Sequence, residues 1–137
     1  MTKTILLVDD SRTALMLQRM MLAETGFEIV TASDGREGVE IATEIVPDLI
    51  VMDVTMPGMS GYDAVRRIRA VDALAGVPII MVTTRSKPYD ISEGYAAGCT
   101  AYMTKPFDGH ELQAKIMSYL EGSEASEAEP ASARVLR

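Results

Sequence analysis

Five short apolar runs punctuate the chain, at residues 5–8, 27–31, 49–52, 77–82 and 101–103, and the segments between them place apolar residues at helical spacing. The runs Ile5-Leu6-Leu7-Val8 and Val77-Pro78-Ile79-Ile80-Met81-Val82 are nearly continuous rather than alternating. A strand wetted on one face alternates, whereas one covered on both faces does not, so these runs predict a parallel sheet sandwiched between helices. Asp34-x-x-Glu37, Ser60-x-x-Asp63 and Asp108-x-x-Glu111 have the spacing of capping boxes. Pro88 suits a first helical position, where its missing N–H costs nothing. Gly26 and Gly98 stand where helices should stop, because a left-handed conformation is open to them. Strand and helix therefore alternate as (βα)5, a doubly wound α/β fold with right-handed crossovers.

After residue 121 this pattern gives way to Glu, Ala and Ser with no apolar periodicity, which predicts one folded domain over 1–121 followed by a disordered tail or linker stub at 122–137. With 137 residues and 47% apolar content, one domain can bury its own core. A net charge of -7 argues against direct nucleic-acid binding, which needs clustered Lys and Arg. Cys99 is the single cysteine, so no internal disulfide forms, and no stretch approaches the roughly 20 apolar residues of a membrane span. Met1-Thr2-Lys3-Thr4 lacks the features of a signal peptide, which makes the cytoplasm the expected compartment.

In open parallel sheets ligands bind beyond the carboxyl ends of the strands. The residues there are Asp9-Asp10 after the first strand, Asp53 after the third, Thr83-Thr84 after the fourth and Lys105-Pro106 after the fifth. Converging carboxylates repel: at about 4 Å and an effective dielectric near 20, each pair costs roughly 4 kcal/mol. One ammonium does not offset three such groups. All-oxygen ligands without His or Cys suit Mg2+ better than Zn2+. Phosphoryl transfer needs an in-line nucleophile and charge stabilisation, which Asp53, Lys105 and the Thr83 hydroxyl could supply beside a metal. The expected product is an aspartyl phosphate on Asp53.

These residues resemble the receiver domain of bacterial response regulators, the family typified by the chemotaxis response regulator. The resemblance covers roughly residues 3–121. It rests on Val8-Asp9-Asp10-Ser11, on Asp53-Val54-Thr55-Met56-Pro57-Gly58-Met59-Ser60-Gly61, on Thr83-Thr84 and on Tyr102-Met103-Thr104-Lys105-Pro106-Phe107. It implies a flavodoxin-like sheet in the order 2-1-3-4-5. It further implies Asp53 as phospho-acceptor, Asp9 and Asp10 as the acidic metal pair, and the backbone carbonyl of Thr55 as another Mg2+ ligand. Thr83 would be the switch hydroxyl, Tyr102 the aromatic that moves with it, and Lys105 the counter-charge, carried on a cis Lys105-Pro106 bond. Thr55 and Arg85 depart from the family's stricter positions and would tune the lifetime of the phosphorylated state. The donor implied is a sensor histidine kinase or phosphotransfer protein. The readout is an effector protein or fused output domain engaging helix four, strand five and helix five, roughly 88–121, with phosphorylation-dependent homodimerisation as a further option.

Taken singly, several of these residues have plainer readings. Asp10 or Ser11 could cap the first helix, Thr83 could bond to backbone, and Tyr102 could be an aromatic on an edge strand. Cys99 is expected to be buried and His110 to face solvent, with the ten methionines mostly filling core. A haloacid-dehalogenase-type phosphohydrolase also uses aspartyl phosphate and Mg2+, but it places its nucleophile in Asp-x-Asp after the first strand, where this chain has Asp9-Asp10-Ser11, and it carries a cap insertion. A receiver used only as a constitutive interaction module is the other alternative.

Overall fold

The computed structural model describes residues 2–128, with side chains to Glu121. Five strands, β1 (Thr4–Val8), β2 (Glu28–Ala32), β3 (Leu49–Asp53), β4 (Ile79–Thr83) and β5 (Ala101–Thr104), alternate with helices α1 (Arg12–Met21), α2 (Gly35–Ile45), α3 (Gly61–Arg69), α4 (Pro88–Ala97) and α5 (Gly109–Ala128). All strand pairs are parallel, in the order β2-β1-β3-β4-β5. The (βα)5 expectation holds, together with its strand order.

The continuous apolar runs are explained by burial on both faces. Leu6, Val8, Ile50, Met52, Ile79 and Met81 face one way and pack against Ala42, Val65, Ile68 and Ala97 of α2, α3 and α4. Their sequence neighbours Ile5, Leu7, Leu49, Val51, Ile80 and Val82 face the other way and pack on Leu22 after α1 and on Leu112, Ile116 and Leu120 of α5. Each central strand thus feeds two cores, and none of its side chains can be polar until the strand ends.

The helix signals act largely as read. Asp34, Ser60 and Asp108 accept hydrogen bonds from the amides of Glu37 (2.8 Å), Asp63 (3.2 Å) and Glu111 (2.8 Å). Pro88 opens α4 at its first turn and Gly98 (φ 117°) ends it in a left-handed conformation, whereas Gly26 (φ 82°), although left-handed, does not stop α1, which ends at Met21 with Leu22 as its cap. One stop was not legible: α2 ends on Val46 at φ 46°, ahead of Pro47, whose ring disfavours helix in the residue before it. Two strand starts fall later than the apolar pattern suggests. The Phe27 amide is taken by the Thr25 hydroxyl (3.2 Å) rather than a neighbouring strand, and Pro78 has no N–H to give a ladder. The backbone of α5 runs on to Ala128, past the tail start expected at Gly122; Ala and Glu favour helix, and a helix nucleated on a packed face propagates readily. Residues 129–137 of that expected tail lie outside the described residues. No helix among the described residues is long and apolar enough to cross a membrane.

Arg69, at the end of α3, holds the starts of β4 and β5 in place. Its Nε donates to the Gly98 carbonyl (2.8 Å), and its Nη1 to the carbonyls of Leu74 (3.0 Å), Ala75 (3.2 Å) and Val77 (2.7 Å). Its Nη2 reaches the Thr100 hydroxyl (3.2 Å), which itself accepts from the Ile79 amide (2.9 Å). Partial burial pulls the guanidinium pKa down from its usual value. A lysine has no planar fork with which to span these acceptors. Arg69→Lys is expected to lower unfolding free energy by about 2 kcal/mol in urea titrations, and a loss under about 0.5 kcal/mol would contradict this role.

Candidate functional site

The pairing of Val8 with Met52 carries the chain on to Asp9 and Asp53 at the ends of neighbouring strands. Asp10 follows Asp9 into the loop. Each of the three offers a carboxylate oxygen, and these oxygens lie within 4.8 Å of one another. Asp9 is 1% exposed and Asp53 7%, while Asp10 is open to solvent. The pairing of Thr83 with Thr104 places Lys105 just past β5, and its amide donates to the Thr83 carbonyl (2.7 Å). Its ammonium donates to Asp9 Oδ2 (3.0 Å) and lies 3.6 Å from Asp53 Oδ1. The other Asp9 oxygen accepts from the Ser11 amide (2.9 Å), while the Ser11 hydroxyl caps α1 through the Ala14 amide (3.1 Å). The plain capping reading therefore belongs to Ser11, which leaves Asp10 free of that duty.

Burial, and next the charge of Asp9, push the Asp53 carboxyl up from 3.8 to about 6, with Lys105 pulling the other way. The site holds more negative charge than its one lysine relieves. Three hard oxygen donors, two of them buried, with no His or Cys among them, match the preference of Mg2+.

The loop after β3 is shaped to bring α3 close. Gly58 turns at φ 77°, and the Gly61 amide bonds to the Val54 carbonyl (2.8 Å). A Cβ at Gly61 would sit 2.1 Å from the Asp53 carbonyl oxygen, so a side chain there would displace the segment carrying Asp53. The turn signal at residues 56–61 thus serves the site directly.

The remaining expected site residues lie on β4, on β5 and in the loop after β3. Thr83 ends β4, is 1% exposed, and its hydroxyl accepts from the Arg85 amide (3.2 Å). Tyr102 lies half-buried on β5; its hydroxyl donates to the Arg85 carbonyl (3.0 Å) and is 3.4 Å from the Tyr62 hydroxyl. Burial and the Tyr62 contact raise its pKa. Tyr62 also donates to the Asp90 carbonyl (3.1 Å). Thr55 is exposed, and its hydroxyl accepts from Arg85 Nε (3.2 Å), while Arg85 Nη1 lies 3.4 Å from the buried Asp90 carboxylate. Arg85 therefore ties the loop after β3 to the first turn of α4. Sequence reading missed Asp90 and Tyr62, whose only signals were an acidic residue in a first helical turn and an aromatic after Gly61.

The Lys105-Pro106 bond is cis, as the resemblance implies. Cys99 is buried and its thiol is raised to about 11, chiefly by burial, so it stays protonated; His110 faces solvent. Of the methionines, Met52, Met56, Met81 and Met103 are core, but Met16 and Met20 are exposed on α1.

That sheet order, with what stands at its carboxyl edge, is the receiver arrangement of two-component signalling, and the chain belongs to the response regulator receiver domain family, whose model matches residues 5–117. It is 36% identical over 118 residues to protein PilH of Pseudomonas aeruginosa, covering 86% of this chain and 98% of that one. It shares 36% identity over 124 residues with the alkaline phosphatase synthesis transcriptional regulatory protein PhoP of Bacillus subtilis, 90% of this chain and 51% of that protein. The chain spans about half the length of the transcriptional regulators it matches. Among solved structures, the receiver domain of a sensor histidine kinase from Pseudomonas aeruginosa, with a magnesium ion coordinated in its active site cleft, aligns at a TM-score of 0.82 and 32% identity, covering 88% of this chain and 99% of that one.

The raised Asp53 pKa has a consequence for stability. Its protonated form is favoured by the fold, so this contribution is full below about 3.8 and is lost as pH rises through about 6. Without divalent cations, unfolding free energy should fall across that window by on the order of 2 kcal/mol from this group. Asp53→Asn should flatten the window and be the more stable protein at neutral pH. Urea midpoints in a chelating buffer measure this; identical profiles for the two proteins would refute it.

Proposed function

We propose that the chain is a phosphoacceptor switch, with Asp53 taking a phosphoryl group in a Mg2+-dependent reaction. The observation that carries this reading is the three-carboxylate cluster with Lys105 bonded into it. Asp9, Asp10, Asp53 and the backbone carbonyl of Thr55 would hold the metal, which supplies positive charge to phosphoryl oxygens. An ionised Asp53 oxygen attacks the phosphorus of a phosphohistidine; the P–O bond forms as the P–N bond breaks, and the electron pair stays on the imidazole nitrogen. Lys105 keeps its ammonium beside the acceptor and offsets charge gathered on the phosphoryl group. The donor is a sensor histidine kinase or phosphotransfer protein in the cytoplasm, and the receiver unit is residues 1–121. The chain catalyses only its own phosphorylation and dephosphorylation.

Phosphorylation adds roughly −1.5 to −2 charge and new acceptors beside Thr83. The Thr83 hydroxyl can donate to one of them by giving up its geometry against the Arg85 amide. Since Arg85 also accepts from Tyr102, a shift at Thr83 reaches the face of α4, β5 and α5, where an effector, an output domain or a second copy would read it. Thr55 and Arg85 are the positions that set lifetime.

Incubation with acetyl phosphate and Mg2+ followed by intact-mass analysis tests the reading. The wild-type protein should gain one phosphoryl group, mapped to Asp53, and Asp53→Asn none. Lys105→Met should slow uptake by about 100-fold. Equal uptake by Asp53→Asn would sink the assignment, sustained turnover of phosphomonoesters would favour a phosphohydrolase, and no uptake would favour a constitutive interaction module.

A further inference from the structure

Tyr62 and Tyr102 have fewer hydroxyl protons than polar contacts. Tyr62 is 7% exposed and belongs to the core shared by α3 and α4, while Tyr102 is half-buried on β5. Their hydroxyls make three contacts: Tyr62 with the Asp90 carbonyl (3.1 Å), Tyr102 with the Arg85 carbonyl (3.0 Å), and each with the other (3.4 Å). A phenol has one proton and two lone pairs, and a carbonyl can only accept. The two shorter contacts take the protons, and the longest is left oxygen to oxygen. Tyr62 Oη thus stands as a second acceptor within reach of the Tyr102 hydroxyl. The Tyr102 ring lies against the bare backbone of Gly94 on α4, where a Cβ would stand 2.8 Å from its Cδ2, so the missing side chain gives the ring its tucked position.

The two acceptors open to Tyr102 differ in what carries them. The Arg85 carbonyl belongs to the loop after β4, whose Arg85 amide is bonded to the Thr83 hydroxyl (3.2 Å) and which moves when Thr83 turns to a phosphoryl group. Tyr62 stands in the first turn of α3 and is tied to α4 by its own bond to the Asp90 carbonyl. As the Arg85 carbonyl shifts, the Tyr102 hydroxyl can donate to Tyr62 Oη while Tyr62 still donates to Asp90, a chain in which each bond polarises the next. A phenylalanine at position 62 offers no acceptor, and Tyr102 would then turn out to water for a partner. We infer that Tyr62 is a positioning residue of the switch, whose phenolic oxygen keeps the Tyr102 hydroxyl tucked between α3 and α4 as the Arg85 segment moves. This inference rests on the reading of Asp53 as phospho-acceptor and adds to it the residue that retains Tyr102.

The test is a titration with beryllofluoride, a phosphoryl mimic, at saturating Mg2+, followed by amide NMR in the wild type, Tyr62→Phe, Tyr102→Phe and the double variant. Phenylalanine keeps each ring and removes only its oxygen. Binding and switching are linked reciprocally, so a group that favours the bound arrangement also strengthens binding. Tyr62→Phe should weaken beryllofluoride binding about fivefold, within the worth of one hydrogen bond. It should keep the shifts centred on Asp53 and Lys105 while shrinking those at Tyr102 and along α4. In the Tyr102→Phe background the same substitution should change affinity by less than about twofold, because the hydroxyl it serves is gone. A merely structural bond from Tyr62 to α4 costs the same in both backgrounds, and that result overturns the inference. So does a Tyr62→Phe protein that matches the wild type in affinity and shifts. A wild type without beryllofluoride shifts at Asp53 overturns the phosphoacceptor reading and the inference together, which separates that failure from the other two.

Discussion

The crowding of Asp9, Asp10 and Asp53 against a single lysine is the constraint on which the rest of this structure turns. A parallel sheet forces it, because the register that aligns Val8 with Met52 brings the next residues of β1 and β3 to the same edge. The cost appears as a carboxyl at Asp53 that resists ionisation, held there by burial and by Asp9. A group in that condition is poised for a cation and for chemistry that adds oxygen ligands around one.

The remainder of the fold keeps this cluster from relaxing. The two strands that carry the carboxylates, β1 and β3, are buried on both faces, so they cannot slide to separate the charges without breaking two cores at once. Gly61 lets α3 close against the Asp53 backbone, and Arg69 pins the far ends of β4 and β5. Around the rim, Arg85 bonds to Thr55, Asp90 and Tyr102 and so connects the cluster's loops to α4 and β5. A change in charge at Asp53 therefore has a physical route to an outer face through contacts that can be made or broken individually.

Much of this was legible in the sequence because the two relevant codes are local. Unbroken apolar runs declare strands covered twice, and the first polar residues after each run must lie at one edge. What the sequence hid depends on distant partners. The late starts at Glu28 and Ile79 reflect where amides find acceptors, which hydropathy does not record. The left-handed Val46 carries no glycine to announce it. The guanidinium of Arg69 looks like an ordinary charge at a helix end until the carbonyls it gathers are in place. Gln18 looks like a polar position on an amphipathic helix, yet it lies buried, and Asp90 reads as a helix-start carboxylate although it is nearly sealed from solvent.

The most direct test of the central claim is a Mg2+ titration of the unphosphorylated protein followed by amide NMR at several pH values. If the three carboxylates form one electrostatic unit, shifts should centre on Asp9, Asp10 and Asp53. Affinity should fall about tenfold from pH 8 to pH 5, as protons compete for Asp53. Shifts centred elsewhere, or an affinity unchanged across that range, would contradict the account.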